Sequence, residues 1–228
     1  MLLTPSELEA LRGRLIVSAQ AYPGEPMRTP TTMAQVAAST VIGGAAAVRV
    51  QGIADVQFTR SAVEVPVIGL WKDGHDGVFI TPTARHALAV ANAGAHIVAL
   101  DGTRRERPDG LTLKQTIDMV HEQSHALVMA DCGSLADALN AAEAGADLIG
   151  TTLAGYSGER PKTEGPDLDL LEAIAAAGLE VPLIAEGRIH TPAQARAALD
   201  AGAFAVVVGT AITHPASITG WFDSAMRA

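Results

Sequence analysis

Short apolar runs rich in Val, Ile, Leu and Ala alternate with longer stretches of helical periodicity along almost the whole chain, the pattern of βα units and a parallel sheet. Eight runs read as strands: Arg14–Gln20, Ala45–Gln51, Pro66–Lys72, His96–Asp101, Ala126–Asp131, Asp147–Thr152, Pro182–Glu186 and Phe204–Gly209. Helices are expected between them at Thr32–Val41, Thr83–Asn92, Leu111–Glu122, Leu135–Ala144, Leu168–Ala177 and Pro192–Ala201, with the weakest helical signal between the second and third strands. The tripeptide Ala-Gly-Ala recurs at Ala93–Ala95, Ala144–Ala146 and Ala201–Ala203, each time where a helix ends ahead of a strand, and Gly43-Gly44 echoes it. Glycine at that point accepts the left-handed conformation that terminates a helix, and the flanking alanines let helix and strand approach closely. A repeat in phase with alternate strands favours a closed barrel over an open doubly wound sheet. The 228-residue chain is therefore expected to be α/β, a single (β/α)8 TIM barrel spanning 1–228, with its active site at the C-terminal ends of the strands.

Composition narrows the partners. Apolar residues make up 48% of the chain but aromatic ones only 4%, so the core must be built from Ala, Val, Leu and Ile, as suits buried parallel strands under Ala-rich helices. A net charge of -9 argues against nucleic acid or an anionic membrane as ligand, since both need a basic face to displace counterions. A small anion remains admissible, because helix N-termini and one or two arginines suffice to hold it. Cys132 is the only cysteine, which rules out an intramolecular disulfide and fits a reducing cytosol. No stretch is apolar for long enough to cross a bilayer, and the first residues lack the basic-then-apolar order of an export signal, so a cytoplasmic protein is expected. The pattern leaves the oligomeric state open, a homodimer included.

In a barrel the residue closing each strand faces the catalytic mouth. Those residues are Gln20, Arg49, Lys72, Asp101, Asp131, Thr152, Glu186 and Gly209. One lysine, one arginine and three carboxylates converge there, while the seven histidines are scattered without ligand spacing, which points to acid–base or Schiff-base chemistry without metal or cofactor. Lys72 is one of three lysines in the chain, and burial in a dry pocket would lower its pKa far enough to make it a base or nucleophile. Its alternative is a strand-end lysine reaching into solvent. Gly187 and Arg188 after the seventh strand, and Gly209 and Thr210 after the eighth, form the Gly-containing turns with which this fold grips phosphate; tight turns alone would look the same. Asp131 and Asp101 could orient a lysine or bind sugar hydroxyls, or cap the following turn. Arg49, flanked by Val48 and Val50 of opposite parity, needs an anionic partner if buried. Thr191 is expected to cap a helix, which makes His190 a loop residue, and Cys132 reads as a buried filler. The loop Gly155–Pro166 is long enough to be a lid or substrate wall.

Laid out in this way, the chain resembles the N-acylglucosamine-6-phosphate 2-epimerases, also called N-acetylmannosamine-6-phosphate epimerases. The likeness runs through LIVSAQAYPGEPM, GAAAVRVQG, PVIGLWKDG, FITPT, HIVALDGTRRERPDG, MADCGS, GTTLAGYSG, LIAEGRIHTPAQA and VVVGTAITHP. It implies epimerisation at C2 of a phosphorylated amino sugar, in amino-sugar (sialic acid) catabolism, with Lys72 as acid–base catalyst and Glu186 as its partner carboxylate. Gln20, Arg49, Asp131, Thr152 and Tyr156 would bind and orient the sugar, and Gly187, Arg188, Gly209 and Thr210 would hold the phosphate. Two departures from the family pattern stand out: Lys72 is followed by Asp73, Gly74 and His75 rather than Arg-Asp-Tyr, and Ala19 stands where cysteine is common. A Schiff-base aldolase acting on a sugar phosphate, and a non-catalytic sugar-phosphate-binding barrel, would use a similar set of residues.

Overall fold

The eight apolar runs become eight parallel strands, hydrogen-bonded in chain order and closed by pairing of the last with the first. The computed structural model describes residues 3–227. The strands are β1 Leu15–Ala19, β2 Ala47–Gln51, β3 Val67–Leu70, β4 Ile97–Asp101, β5 Leu127–Asp131, β6 Leu148–Gly150, β7 Leu183–Glu186 and β8 Ala205–Val208. The crossovers carry α2 Pro30–Ile42, α3 Ile53–Ala62, α4 Ala84–Asn92, α5 Leu113–Gln123, α6 Leu135–Glu143, α7 Leu168–Ala176 and α8 Pro192–Asp200. A short α1 Pro5–Glu9 precedes the barrel; α9 Thr210–Thr213 and α10 Pro215–Arg227, which the hydrophobic pattern did not assign, follow it. The faint signal in the second crossover has a cause: α3 buries only Val56 and Thr59, and its N-cap is Gly52, which has no side chain to announce a start.

The Ala-Gly-Ala turns take the form their sequence demands. Gly94, Gly145 and Gly202 have φ of 104°, 95° and 100°, one residue beyond helix caps at Ala93, Ala144 and Ala201. In the first, the amides of Gly94 and Ala95 return to the carbonyls of Ala91 and Val90, the paired bonds of a Schellman motif. These turns leave only four residues between the end of each of the three helices and the start of the next strand.

Alternation along the strands separates two apolar layers. Inward-facing Ile16, Ile68, Leu70, Ile97, Met129, Leu148, Ile184 and Val207 fill the barrel, and Leu3 and Leu11 of the amino-terminal segment pack against its floor. Outward-facing Val48, Val98, Val128, Ile149 and Val206 meet the helices through residues such as Val90, Ile117 and Leu170. Each such side chain contributes about 1.5–3 kcal/mol on burial. Because apolar residues occupy the lower barrel, inward-facing polar groups are confined to the C-terminal end. Helix and strand approach closely at Gly69 of β3, where an added Cβ would come within 2.7 Å of Val90 Cγ1, 2.8 Å of Ala95 Cβ and 2.9 Å of Val56 Cγ2. Gly69→Ala is therefore expected to overpack this seam, costing about 1–3 kcal/mol and lowering the thermal midpoint by about 2–12 °C; a calorimetric midpoint equal to that of the parent would show that α3 and α4 yield freely.

The third strand differs from its expected span. Its parallel ladder stops at Leu70, and Lys72 lies beyond it in an antiparallel bridge to Ile80. Among the described residues no helix is long and apolar enough to cross a membrane.

Candidate active site

The floor of the mouth is an ionic cluster supplied by three strands. Arg49 on β2 is almost wholly buried and forms a two-pronged pair with Asp131 on β5, Nη1 to Oδ1 at 3.0 Å and Nη2 to Oδ2 at 2.6 Å. Its Nη1 also donates to Glu186 Oε2 on β7 at 2.8 Å. The Thr152 hydroxyl, just past β6, lies 2.7 Å from Asp131 Oδ1 and 3.2 Å from Glu186 Oε2. Burial works against the Arg49 cation, but Asp131 and Glu186 outweigh it and its pKa is raised. The same burial pushes Glu186 upward against the pull of Arg49, and the Asp131 charge adds to the push.

Lys72 stands above this floor, its ammonium 2.9 Å from Gln20 Oε1, while the Gln20 amide donates to Ser18 Oγ at 2.9 Å. Its side chain is open to the cavity, yet crowded enough by the walls that desolvation lowers its pKa, with Arg49 adding to the effect and Glu186 and Asp131 opposing it. One environment thus favours the uncharged amine of Lys72 and the protonated form of Glu186, the combination needed for a base and an acid in one site.

A cavity of about 240 Å³ opens between these groups. Gln20, Lys72, Thr152, Tyr156 and Glu186 line it, together with the turns Gly187–Arg188 and Gly209–Thr210, and the Arg188 guanidinium lies over the Tyr156 ring at 5.4 Å from its centroid. Arg49 and Asp131 do not line it; they lie beneath and hold Glu186 and Thr152. Gly187 and Arg188, both lining the cavity, have positive φ of 116° and 55°, which turns the chain sharply there. The Arg188 guanidinium donates to the Gly165 and Ala154 carbonyls and the Thr163 hydroxyl, so it also fastens the 155–166 loop expected to wall the site. Two of its five N–H donors remain after those bonds.

Residues 33–228 match the family described as "Putative N-acetylmannosamine-6-phosphate epimerase". The chain belongs to this epimerase family. A relative from Cutibacterium acnes (strain DSM 16379 / KPA171202), named "Putative N-acetylmannosamine-6-phosphate 2-epimerase", is 62% identical over 221 residues, 96% of each chain. Another of that name from Corynebacterium glutamicum (strain R) is 46% identical, covering 95% of this chain and 94% of its own. The solved structure of the N-acetylmannosamine-6-phosphate 2-epimerase from Clostridium perfringens is similar at a TM-score of 0.91 and 36% identity, over 95% of each chain.

Within this epimerase-family barrel, the strand-end residues fall into three groups. Gln20, Lys72, Thr152, Glu186 and Gly209 meet at the cavity, Arg49 and Asp131 support it, and Asp101 is elsewhere: buried, accepting from Thr103 and paired with Arg105 at 2.7 Å. Thr191 caps α8 as expected, and His190, in the loop just before it, lines the cavity as well. Cys132 is buried, and desolvation raises its thiol well above the ordinary range, which keeps it an inert filler. The strand-end rule missed Tyr22, Thr213 and His214, which also line the cavity. Tyr22 and His214 meet edge to face at 4.6 Å, and Glu25 Oε1 lies 2.6 Å from His214 Nε2. The signals for them were two of the motifs that carry the resemblance, LIVSAQAYPGEPM at β1 and VVVGTAITHP at β8; that Tyr22 meets a residue nearly two hundred positions later is a consequence of β1–β8 closure.

Proposed function

We propose that this chain interconverts N-acetylmannosamine 6-phosphate and N-acetylglucosamine 6-phosphate by removing the C2 proton of the open-chain sugar and returning one to either face, a step in amino-sugar breakdown. The observation that carries the reading is the pairing at one cavity of a lysine drawn toward its neutral form with a carboxyl group drawn toward its protonated form. The carbonyl at C1 acidifies the C2–H bond, Lys72 takes the proton, and Glu186 stabilises the oxygen on which negative charge develops. Arg49 and Thr152, both bonded to Asp131, hold Glu186 in place, and Gln20 fixes the ammonium of Lys72. The names of the similar proteins supply the substrate, and on this reading the phosphate is held by the Gly187–Arg188 and Gly209–Thr210 turns that line the cavity.

The test is deuterium incorporation at C2 from heavy water, starting separately from each 6-phosphate. Exchange that accompanies interconversion supports the reading; binding without exchange would leave a sugar-phosphate-binding barrel. Borohydride reduction in the presence of substrate should leave Lys72 unmodified, since a covalent sugar adduct there would identify a Schiff-base lyase. Arg188→Ala is expected to raise KM about tenfold or more, with kcat falling less, because it removes binding at the non-reacting end and loosens the loop it fastens. Steady-state kinetics that leave KM unchanged would remove Arg188 from the phosphate site.

A further inference from the structure

Lys72 lies two residues past the last residue of β3, so the parallel ladder does not position it. A short segment, Phe79–Thr81, does so instead. Ile80 bridges Lys72 in antiparallel fashion, Asp73 N–H donates to the Phe79 carbonyl at 3.0 Å, and on the other side the Ile80 carbonyl accepts from Asp101 N–H of β4 at 2.9 Å. The segment therefore wedges between the ends of β3 and β4 and carries the barrel wall upward by one residue pair.

Thr81 anchors the end of that wedge. It is fully buried and has a left-handed backbone, φ 45°, a conformation that a β-branched residue adopts only under constraint. Its N–H donates to the Trp71 carbonyl at 2.7 Å, and its hydroxyl accepts from Trp71 N–H at 3.1 Å while donating to the Ala99 carbonyl of β4 at 2.6 Å. Its own carbonyl accepts from Arg107 Nη2 at 2.9 Å, and Arg107 Nη1 holds the Asp101 carbonyl at 2.7 Å. Trp71 is thus gripped through both its N–H and its carbonyl by one side chain and one backbone group, immediately before Lys72. Strain retained at a residue that reaches neither the cavity nor solvent is strain retained for geometry.

We infer that Thr81 is a positioning residue for Lys72: its hydroxyl locks the end of β3 to β4 and thereby sets the height and direction from which the lysine addresses the cavity. The inference rests on Lys72 as the proton-transferring group. Thr81→Val keeps the branched shape and loses both hydroxyl hydrogen bonds; it is expected to lower kcat about ten- to hundredfold, as misplacement of a catalytic group by about an ångström does. KM should stay within about twofold, because the phosphate end is built from other strands, and Thr81→Ser should recover kcat to within about threefold. The acidic limb of the pH–kcat profile should also move upward in Thr81→Val, as Lys72 swings away from Arg49 and regains hydration; Glu186, Asp131 and Arg28 are the other charges acting on it. If the valine variant does not fold, Thr81→Gly, which accepts the left-handed backbone freely and equally lacks the hydroxyl, carries the same expectation. A folded Val or Gly variant with parental kcat would overturn the inference, as would a serine variant that loses kcat and KM alike. Lys72→Ala run alongside separates the two levels: exchange surviving in that variant removes Lys72 itself as the base and Thr81 with it, whereas a dead Lys72→Ala beside an unimpaired Thr81→Val rejects only the positioning role.

Discussion

Lys72→Ala is expected to reduce C2 proton exchange by about 10²–10⁴-fold, the range over which a positioned acid–base group contributes, while leaving KM close to that of the parent. The asymmetry follows from where the groups sit. Lys72 reaches the cavity from beyond β3, whereas Gly187, Arg188, Gly209 and Thr210 come from the ends of β7 and β8. Removing the amine takes away no apolar core, since the side chain faces the open cavity, so the melting temperature should hardly change. In the parent enzyme the acidic limb of the pH–rate profile should lie below lysine's ordinary value of 10.5, because desolvation and then Arg49 favour loss of the ammonium proton. Exchange measured by mass spectrometry at a near-parental rate in Lys72→Ala would transfer the proton to another group.

Arg49→Ala should be the most damaging single change to stability in the site. Its guanidinium is the cation paired with both Asp131 and Glu186, and all three side chains are largely or wholly buried. Truncation leaves two carboxylates facing each other without a cation, a type of loss that costs about 3–5 kcal/mol, or about 6–20 °C in thermal midpoint. The sign of the pH dependence is fixed by Glu186. Burial already raises its folded pKa above the ordinary 4.5, with Arg49 opposing; without Arg49 it climbs further. The folded variant then holds its proton more tightly than the unfolded chain, so stability declines as pH rises through that raised pKa and recovers on acidification toward 4.5. Denaturant unfolding at several pH values measures this, and a deficit independent of pH would mean that the carboxylates are solvated in the variant. Arg49→Lys should rescue only in part, since a point charge cannot reproduce the two-pronged pair.

Much of this architecture is legible from residue order because its determinants are local. Short, nearly continuous apolar runs mark all eight strands to within a residue or two, and the left-handed glycines of Ala-Gly-Ala mark three of the helix ends. Candidate chemistry is legible for the same reason: in a barrel the residue that closes a strand faces the mouth, so Gln20, Lys72, Thr152, Glu186 and Gly209 could be named without coordinates. What stayed hidden was whatever depends on contact between distant segments. Nothing near Arg49 in the chain says that its partners are Asp131 and Glu186, 82 and 137 positions away, because only barrel closure brings β2, β5 and β7 to one level. Nor does the sequence say that Asp101, which ends its strand as Asp131 does, turns to Thr103 and Arg105 instead of the cavity.

Lys72 shows the division most clearly. Its residue type, its scarcity in the chain and its place after an apolar run were enough to nominate it. Only the tertiary structure shows that its strand has already ended and that Phe79–Thr81 carries it. The amine's depressed affinity for a proton likewise arises from walls and from an arginine contributed by other strands. Sequence determines which groups can act, since that is a matter of covalent chemistry and local periodicity; electrostatic environment and aim belong to the closed barrel, since both depend on what lies within a few ångströms in space.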